Sequence, residues 1–327
     1  MGSNHKVKPK RITVFGASGH LGQPLAEHVR ANAPDVTLRL VTSAPEKMAA
    51  IQARFPAAEV VTANYFDEAA MTSVLSGTDG VFLVTPNFLD EERAMAIFVR
   101  AAKAAGGISH VVRLLGDPPG MTLDRVPEEI RAVNNPPGPA TQHLLAHHIL
   151  KQSGLPVTFI NCSAFLMDNF KKAFILLLGG RKVLVHPINR LNAFIDPRDV
   201  GATAACLLLS DNHRHIGQTH NLDNGHDVMR FSQVAELMSE VFGEPIAYDG
   251  TKETFYQELA EGYRRILGND RAPEYMVRVF EYEDENEVMW RRSDVVESII
   301  GRKPKTLRDW LIEHRDEVCR VSEPVVA

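Results

Sequence analysis

The patterned part of the chain begins with a short apolar run, 11–15, which is stopped by glycine and is too short for a helix. A run of this length bounded by a turn predicts a buried strand. It passes directly into Gly16-Ala17-Ser18-Gly19-His20-Leu21-Gly22, after which 23–32 predicts a helix that tolerates Pro24 in its first turn. The alternation then repeats, with strands predicted at 36–42, 59–63, 81–85 and 108–115 and helices at 45–54, 67–75 and 89–105. Strands separated by single helices imply a parallel sheet with right-handed crossovers.

The segment 117–139 breaks this rhythm. Its Pro118-Pro119-Gly120 and Pro136-Pro137-Gly138-Pro139 clusters predict a long loop near a site mouth. Helix 141–152 and strand 157–162 resume the pattern, followed by helix 200–210 with Asp199 as its expected N-cap. Beyond Asp223 the period turns mainly helical, with stop signals at Gly243, Pro273 and Gly301. The expected fold is therefore α/β, a Rossmann-type doubly wound parallel sheet with a smaller, mainly helical C-terminal cap. The boundaries follow as a flexible tail 1–10, a dinucleotide-binding domain 11–223, and a substrate-binding cap 224–327 that segments 164–195 are candidates to join.

Composition narrows the function classes. With 327 residues, 44% of them apolar, the chain can bury a full core. A formal charge of −5 without a basic block argues against nucleic-acid binding, and the apolar runs are too short to span a bilayer. Cys162, Cys206 and Cys319 are scattered and odd in number, which fits reduced thiols in a cytoplasmic protein rather than a disulfide framework or a zinc site. The polar, basic N-terminus has no secretory character.

The G-x-x-G-x-x-G spacing carries the first chemical reading. Gly16 permits a tight turn, Gly19 lets backbone approach phosphate, and Gly22 lets the helix pack closely. The amides opening the helix then receive a pyrophosphate, so Gly16 to Gly22 are expected to bind a dinucleotide. The second strand ends in Thr42-Ser43, with Lys47 one turn on and no carboxylate before Glu46. A cation rather than an acid at that place favours NADP(H), with NAD(H) as the alternative. Arg39 lies inside the strand and reads as structural.

Several further motifs occur in order: Asn64-Tyr65-Phe66-Asp67, Gly80-Val81-Phe82-Leu83-Val84-Thr85-Pro86, Phe165-Leu166-Met167-Asp168-Asn169-Phe170, Phe194-Ile195-Asp196-Pro197-Arg198-Asp199-Val200 and Gly301-Arg302-Lys303-Pro304-Lys305-Thr306-Leu307. With the glycine turn, they make the chain resemble the NmrA-like branch of atypical short-chain dehydrogenases/reductases over roughly 11–310. That branch mixes quinone reductases, reductases of plant phenolics and non-catalytic NADP sensors. The resemblance implies that Asn64 and Tyr65 lie near the adenine and that Thr85, Pro86 and Asn87 line the path of the dinucleotide and substrate. It places Leu115, Gly116, Phe165, Met167 and Asn169 around the nicotinamide and substrate pocket.

A catalyst is harder to find. Short-chain dehydrogenases commonly use Tyr-x-x-x-Lys, and the one such spacing, Tyr248 to Lys252, falls in the cap rather than after the fourth strand. Leu114-Leu115-Gly116 stands where those enzymes carry a serine. His143 occupies the place at which the resembling phenolic reductases carry a lysine, and a histidine there could protonate a developing alkoxide or enolate. His143 and His147 share a helical face, but no third ligand accompanies them, so no metal is expected. Asp196 and Asp199 read as capping groups. The expected function is an NAD(P)H-dependent reductase of a small hydrophobic carbonyl, quinone or activated alkene. The alternative is an NADP(H)-binding redox sensor acting through protein partners. Homodimerisation is left open.

Overall fold

The computed structural model describes residues 6–133, 138–171, 175–286 and 292–320. The alternating half forms β1 (Arg11–Phe15), α1 (Gly22–Asn32), β2 (Thr37–Thr42), α2 (Met48–Arg54), β3 (Glu59–Thr62), α3 (Glu68–Leu75), β4 (Gly80–Leu83), α4 (Glu91–Ala105) and β5 (His110–Leu115). The segment expected as a long loop contains a 3-10 turn, Leu123–Arg125, and a short helix α5 (Glu128–Val133); its residues 134–137 lie outside the described residues. Then come α6 (Pro139–Gln152) and β6 (Val157–Asn161).

Seven strands pair in parallel in the order β11-β6-β5-β4-β1-β2-β3, with β11 (Thr219–Asn221) on the outer edge. Strand order reverses between β1 and β4, which opens a crevice above their C-terminal ends. Alternate residues feed the two faces. Ile12, Val14, Val112 and Leu114 join one buried cluster, and Phe15, Val81, Leu83, Val111 and Leu115 join the other. A sheet covered on both faces has little need of polar residues, which explains the near-continuous apolar strands.

The remaining strands are β7 (Phe165–Leu166), β8 (Ile175–Leu178), β9 (Arg181–Val185), β10 (Leu191–Ile195), β12 (Val228–Arg230) and β13 (Ile246–Asp249). They form two three-stranded sheets, β12-β10-β7 and β13-β9-β8. Their helices are α7 (Pro197–Leu209), α8 (Phe231–Phe242), α9 (Lys252–Thr254), α10 (Ala260–Leu267), α11 (Ala272–Asn286), α12 (Val295–Ile300), α13 (Leu307–Glu313) and α14 (Arg315–Arg320). The C-terminal region is mainly helical, as its period implied, and the two small sheets join its short strands β12 and β13 to strands from 165–195. Its core draws Met167, Phe170, Leu184 and Phe194 together with Phe231, Met238 and Trp310.

One local expectation changes, the place of Asp199. The cap of α7 is Asp196, whose side chain accepts from the Arg198 amide 2.9 Å away, with Pro197 in the first turn. Asp199 lies inside the helix, where its carboxylate takes Arg302 Nη2 at 2.6 Å and the Lys305 amide at 2.8 Å. It thus ties the Gly301–Leu307 motif to α7.

Candidate functional site

The crevice is built on the glycine turn. Gly16 takes φ +66°, and a Cβ on it would sit 2.7 Å from Val84 Cγ1. A Cβ on Gly22 would stand 2.4 Å from the Gly16 carbonyl oxygen, so this glycine lets the helix start directly on the turn. The turn is tied by the Gly19 amide to Gly16 O at 2.9 Å and the Ala17 amide to Val41 O at 3.2 Å. No side chain caps α1, and its first turn holds no acid. Uncapped amides at a helix start, with the positive end of its dipole, fit a phosphate. Leu21 and Ala17 are buried beneath, while Gly16, Ser18 and His20 are exposed.

At the end of β2, Thr42 turns its hydroxyl onto the Ala44 amide at 3.1 Å, whereas Ser43 and Lys47 are exposed. At the end of β3, Asn64 is exposed and its Oδ1 accepts from the Phe66 amide. Tyr65 is the residue that the resemblance places near the adenine. It is buried, its ring packs on Phe15, and its hydroxyl donates to Val84 O at 2.5 Å. Its contribution is to fix the backbone of the crevice floor.

Under the end of β4 lies a buried ionic network absent from the sequence-predicted set. Arg113 Nη2 reaches Glu91 Oε1 at 2.7 Å and Thr85 Oγ1 at 2.8 Å, and both charged side chains are 0% exposed. Thr85 donates to Glu91 Oε2 at 2.8 Å. Gln142 Nε2 donates to Glu91 Oε2 and to Pro86 O, while its Oε1 accepts from the Phe88 amide. Thr85 is thus part of a support beneath the crevice, and Pro86 and Asn87 are the exposed members of that strand end. Phe88 sits at φ +58°, a strained position for a bulky residue, and the Gln142 clamp holds it there. The signal in the sequence is Arg113 itself, a charge in the middle of an apolar strand that must find a partner.

At the end of β5, Leu115 faces the core, and the exposed Gly116 lies against His143. A Cβ on Gly116 would stand 3.3 Å from His143 Cδ2 and Nε2. The His143 ring is buried, and its Nδ1 has no partner among the described residues. Burial, aided by the Arg113 charge, pushes His143 down to about 3. A ring held neutral at physiological pH carries no proton to give away, but its N–H can polarise a carbonyl. His147 lies on the same helix with Nε2 3.2 Å from Thr219 Oγ1. Among the described residues no three His, Cys, Asp or Glu side chains gather as metal ligands.

Asp117 is also absent from the predicted set. Its backbone is pinned on both sides by Asn161, which accepts from the Asp117 amide and donates to its carbonyl, each at 2.9 Å. The carboxyl is buried, its Oδ1 has no partner among the described residues, and burial raises it well above the ordinary carboxylate range despite the opposing pull of Arg113. A carboxyl raised in this way costs stability once pH passes the ordinary carboxylate range, because only the unfolded chain then ionises. Asp117→Asn is expected to raise Tm at pH 8, with the gain shrinking toward pH 4. Melts showing no difference between the two pH values would contradict this account.

On the cap side, Phe165 packs against Phe170, Phe194 and Phe231 and keeps part of its surface outside the core. Met167, expected in a pocket, is completely buried in the cap core, whereas Asn169 beside it is half-buried. Tyr248 and Lys252 do not form a catalytic couple. The Tyr248 hydroxyl donates to His186 O at 2.9 Å, and Lys252 pairs with Glu281. Burial raises the Cys162 thiol to about 12, so it is no nucleophile.

A doubly wound parallel sheet with an uncapped glycine turn at its switch point defines a Rossmann-type α/β protein. The model of the NmrA-like family matches residues 8–311, and the chain belongs to that family. A Streptomyces griseus relative, (4-alkanoyl-5-oxo-2,5-dihydrofuran-3-yl)methyl phosphate reductase, is 27% identical over 316 residues, covering 93% of this chain and 98% of the relative. The Escherichia coli quinone oxidoreductase QOR2 complexed with NADPH superposes with a TM-score of 0.73 at 21% identity, covering 93% of this chain and 99% of the other. The negative transcriptional regulator NmrA in complex with NADP gives 0.72 at 18% identity, covering 96% and 98%. No helix among the described residues is long and apolar enough to cross a membrane.

Proposed function

We propose that the protein is an NAD(P)H-dependent reductase of a small hydrophobic carbonyl, quinone or activated alkene. The observation that carries this is the similarity to the furanone phosphate reductase, which runs through the cap as well as the sheet. That relative is named as a reductase and is matched along 93% of this chain, which supports the enzymatic reading. That relative's name describes a ring alkene conjugated to carbonyls, which puts activated alkenes first among the substrate classes. NADP(H) is preferred over NAD(H) because Ser43 and Lys47 are exposed after β2 and no acid lies between β2 and Glu46.

Bound in the crevice, the reduced dinucleotide would supply the hydride. The glycine turn receives its pyrophosphate, and Asn64, Pro86 and Asn87 flank its course. The neutral His143 donates a hydrogen bond to the substrate carbonyl and so stabilises the charge that develops there. Its role is electrostatic rather than acid catalysis.

The test is NADPH oxidation against quinones, enones, aromatic ketones and an alkanoyl furanone. Turnover is expected on at least one, and His143→Ala should lower kcat about 100-fold with NADPH affinity unchanged. Unchanged turnover in that variant would remove His143 from the mechanism. Tight NADPH binding without turnover on any compound would favour the second reading, a redox sensor, which the separation of Tyr248 from Lys252 supports.

A further inference from the structure

One contact joins the cap to the glycine turn across the crevice. His20 Nδ1 lies 2.6 Å from Asp168 Oδ2, with His20 on the loop after β1 and Asp168 on the 3-10 turn Met167–Lys171 of the cap. Asp168 is held in place by its neighbours, since Met167 and Phe170 on either side of it are fully buried in the cap core. The acid is also close enough to Cys162, just past the end of β6, to help raise that thiol. It therefore lies near both the turn that follows β1 and the residue that follows β6. His20 belongs to the glycine turn on which a dinucleotide pyrophosphate would sit, so the contact adjoins that seat.

The pair is not built for fold stability. His20 keeps 40% of its side chain exposed and Asp168 17%, and a part-exposed histidine–carboxylate hydrogen bond contributes little to folding. A ligand that covers the pair changes this, because charge-assisted hydrogen bonds strengthen when water is excluded. The one other cation on the same cap turn, Lys171, is committed elsewhere: it pairs with Glu317 at 2.9 Å and lies over the Trp310 ring.

We propose that Asp168 is a cofactor-positioning residue that acts through His20. The pair fastens the cap over the crevice and orients the imidazole toward the pyrophosphate. This rests on the dinucleotide reading above and goes beyond it by assigning a cap residue to cofactor retention. Dissociation of the dinucleotide then requires the contact to break.

NADPH affinity and dissociation rate are to be measured on the full-length protein for His20→Gln, Asp168→Asn, the double variant, Asp168→Glu and Lys171→Ala. Each of the first two is expected to weaken binding about tenfold, mainly through faster dissociation. The double variant should be no worse than either single one, and Asp168→Glu should restore much of the loss. Lys171→Ala should leave NADPH affinity and dissociation unchanged, because its partners are Glu317 and Trp310 rather than His20. Penalties that multiply in the double variant, or an equal loss in Lys171→Ala, would show general cap packing and overturn the proposal. Failure of the wild-type protein to bind NADPH would instead overturn the cofactor reading on which it stands.

Discussion

Gly22→Ala is expected to weaken NADPH binding by about 100-fold and to lower Tm, although it adds a single methyl group. The added Cβ would stand 2.4 Å from Gly16 O, 2.9 Å from Gly16 C and 3.2 Å from Ala17 Cα. All three neighbours are backbone, so no side chain can rotate away. The helix start must move off the turn, and the amides that receive phosphate move with it. Part of the loss is packing strain in the fold, and the rest is misplacement of the anion site. Gly262→Ala is the matched control, because nothing lies within 4 Å of a Cβ there and alanine favours the helix. Equilibrium binding and thermal melts on both variants separate the two contributions. Wild-type affinity in Gly22→Ala would mean that the turn does not hold the dinucleotide.

That prediction rests on a feature legible from spacing alone. Strand, glycine turn and helix follow each other within a few residues, so local rules suffice to place them. The same holds for the alternating strands and helices as far as β6. The cap is different. Phe165, Phe194 and Phe231 meet because β7, β10 and β12, separated by tens of residues, pair in one small sheet, and periodicity carries no information on such pairing. Asp196 and Asp199 show the limit within a single motif. Either could cap a helix by residue type, and the choice was settled by Arg302 and the Lys305 amide, which approach Asp199 from more than a hundred positions away. His143 was recognisable as a candidate, but its protonation state was not. The burial that pushes it down to about 3 comes from α6 packing on the end of β5, and Arg113 adds to it. Asp117 looked like an ordinary loop acid beside Pro118-Pro119-Gly120, until the Asn161 clamp drew it into the interior.

The Arg113–Glu91 pair yields the largest expected loss of stability. Both side chains are completely buried, and Glu91 Oε1 lies 2.7 Å from Arg113 Nη2. Breaking such a pair leaves one charge in a low-dielectric interior, which costs about 3–5 kcal/mol. Glu91→Gln or Arg113→Met is therefore expected to lower unfolding stability by that amount in denaturant titrations. Removing both charges together, as Glu91→Leu with Arg113→Met, should restore most of it, because neither desolvation penalty then remains. Function should not recover in parallel. Thr85 and Gln142 both hydrogen-bond Glu91, and Gln142 in turn holds Pro86 O and the Phe88 amide at the strained φ of +58°. Without the carboxylate, Gln142 loses the acceptor that aims its amide, and the Pro86–Phe88 turn relaxes away from the crevice. The double variant should thus unfold near the wild-type midpoint yet bind NADPH more weakly. A double variant no more stable than either single one, or a stable double variant with wild-type affinity, would refute the assignment of this pair as the support of the β4 strand end.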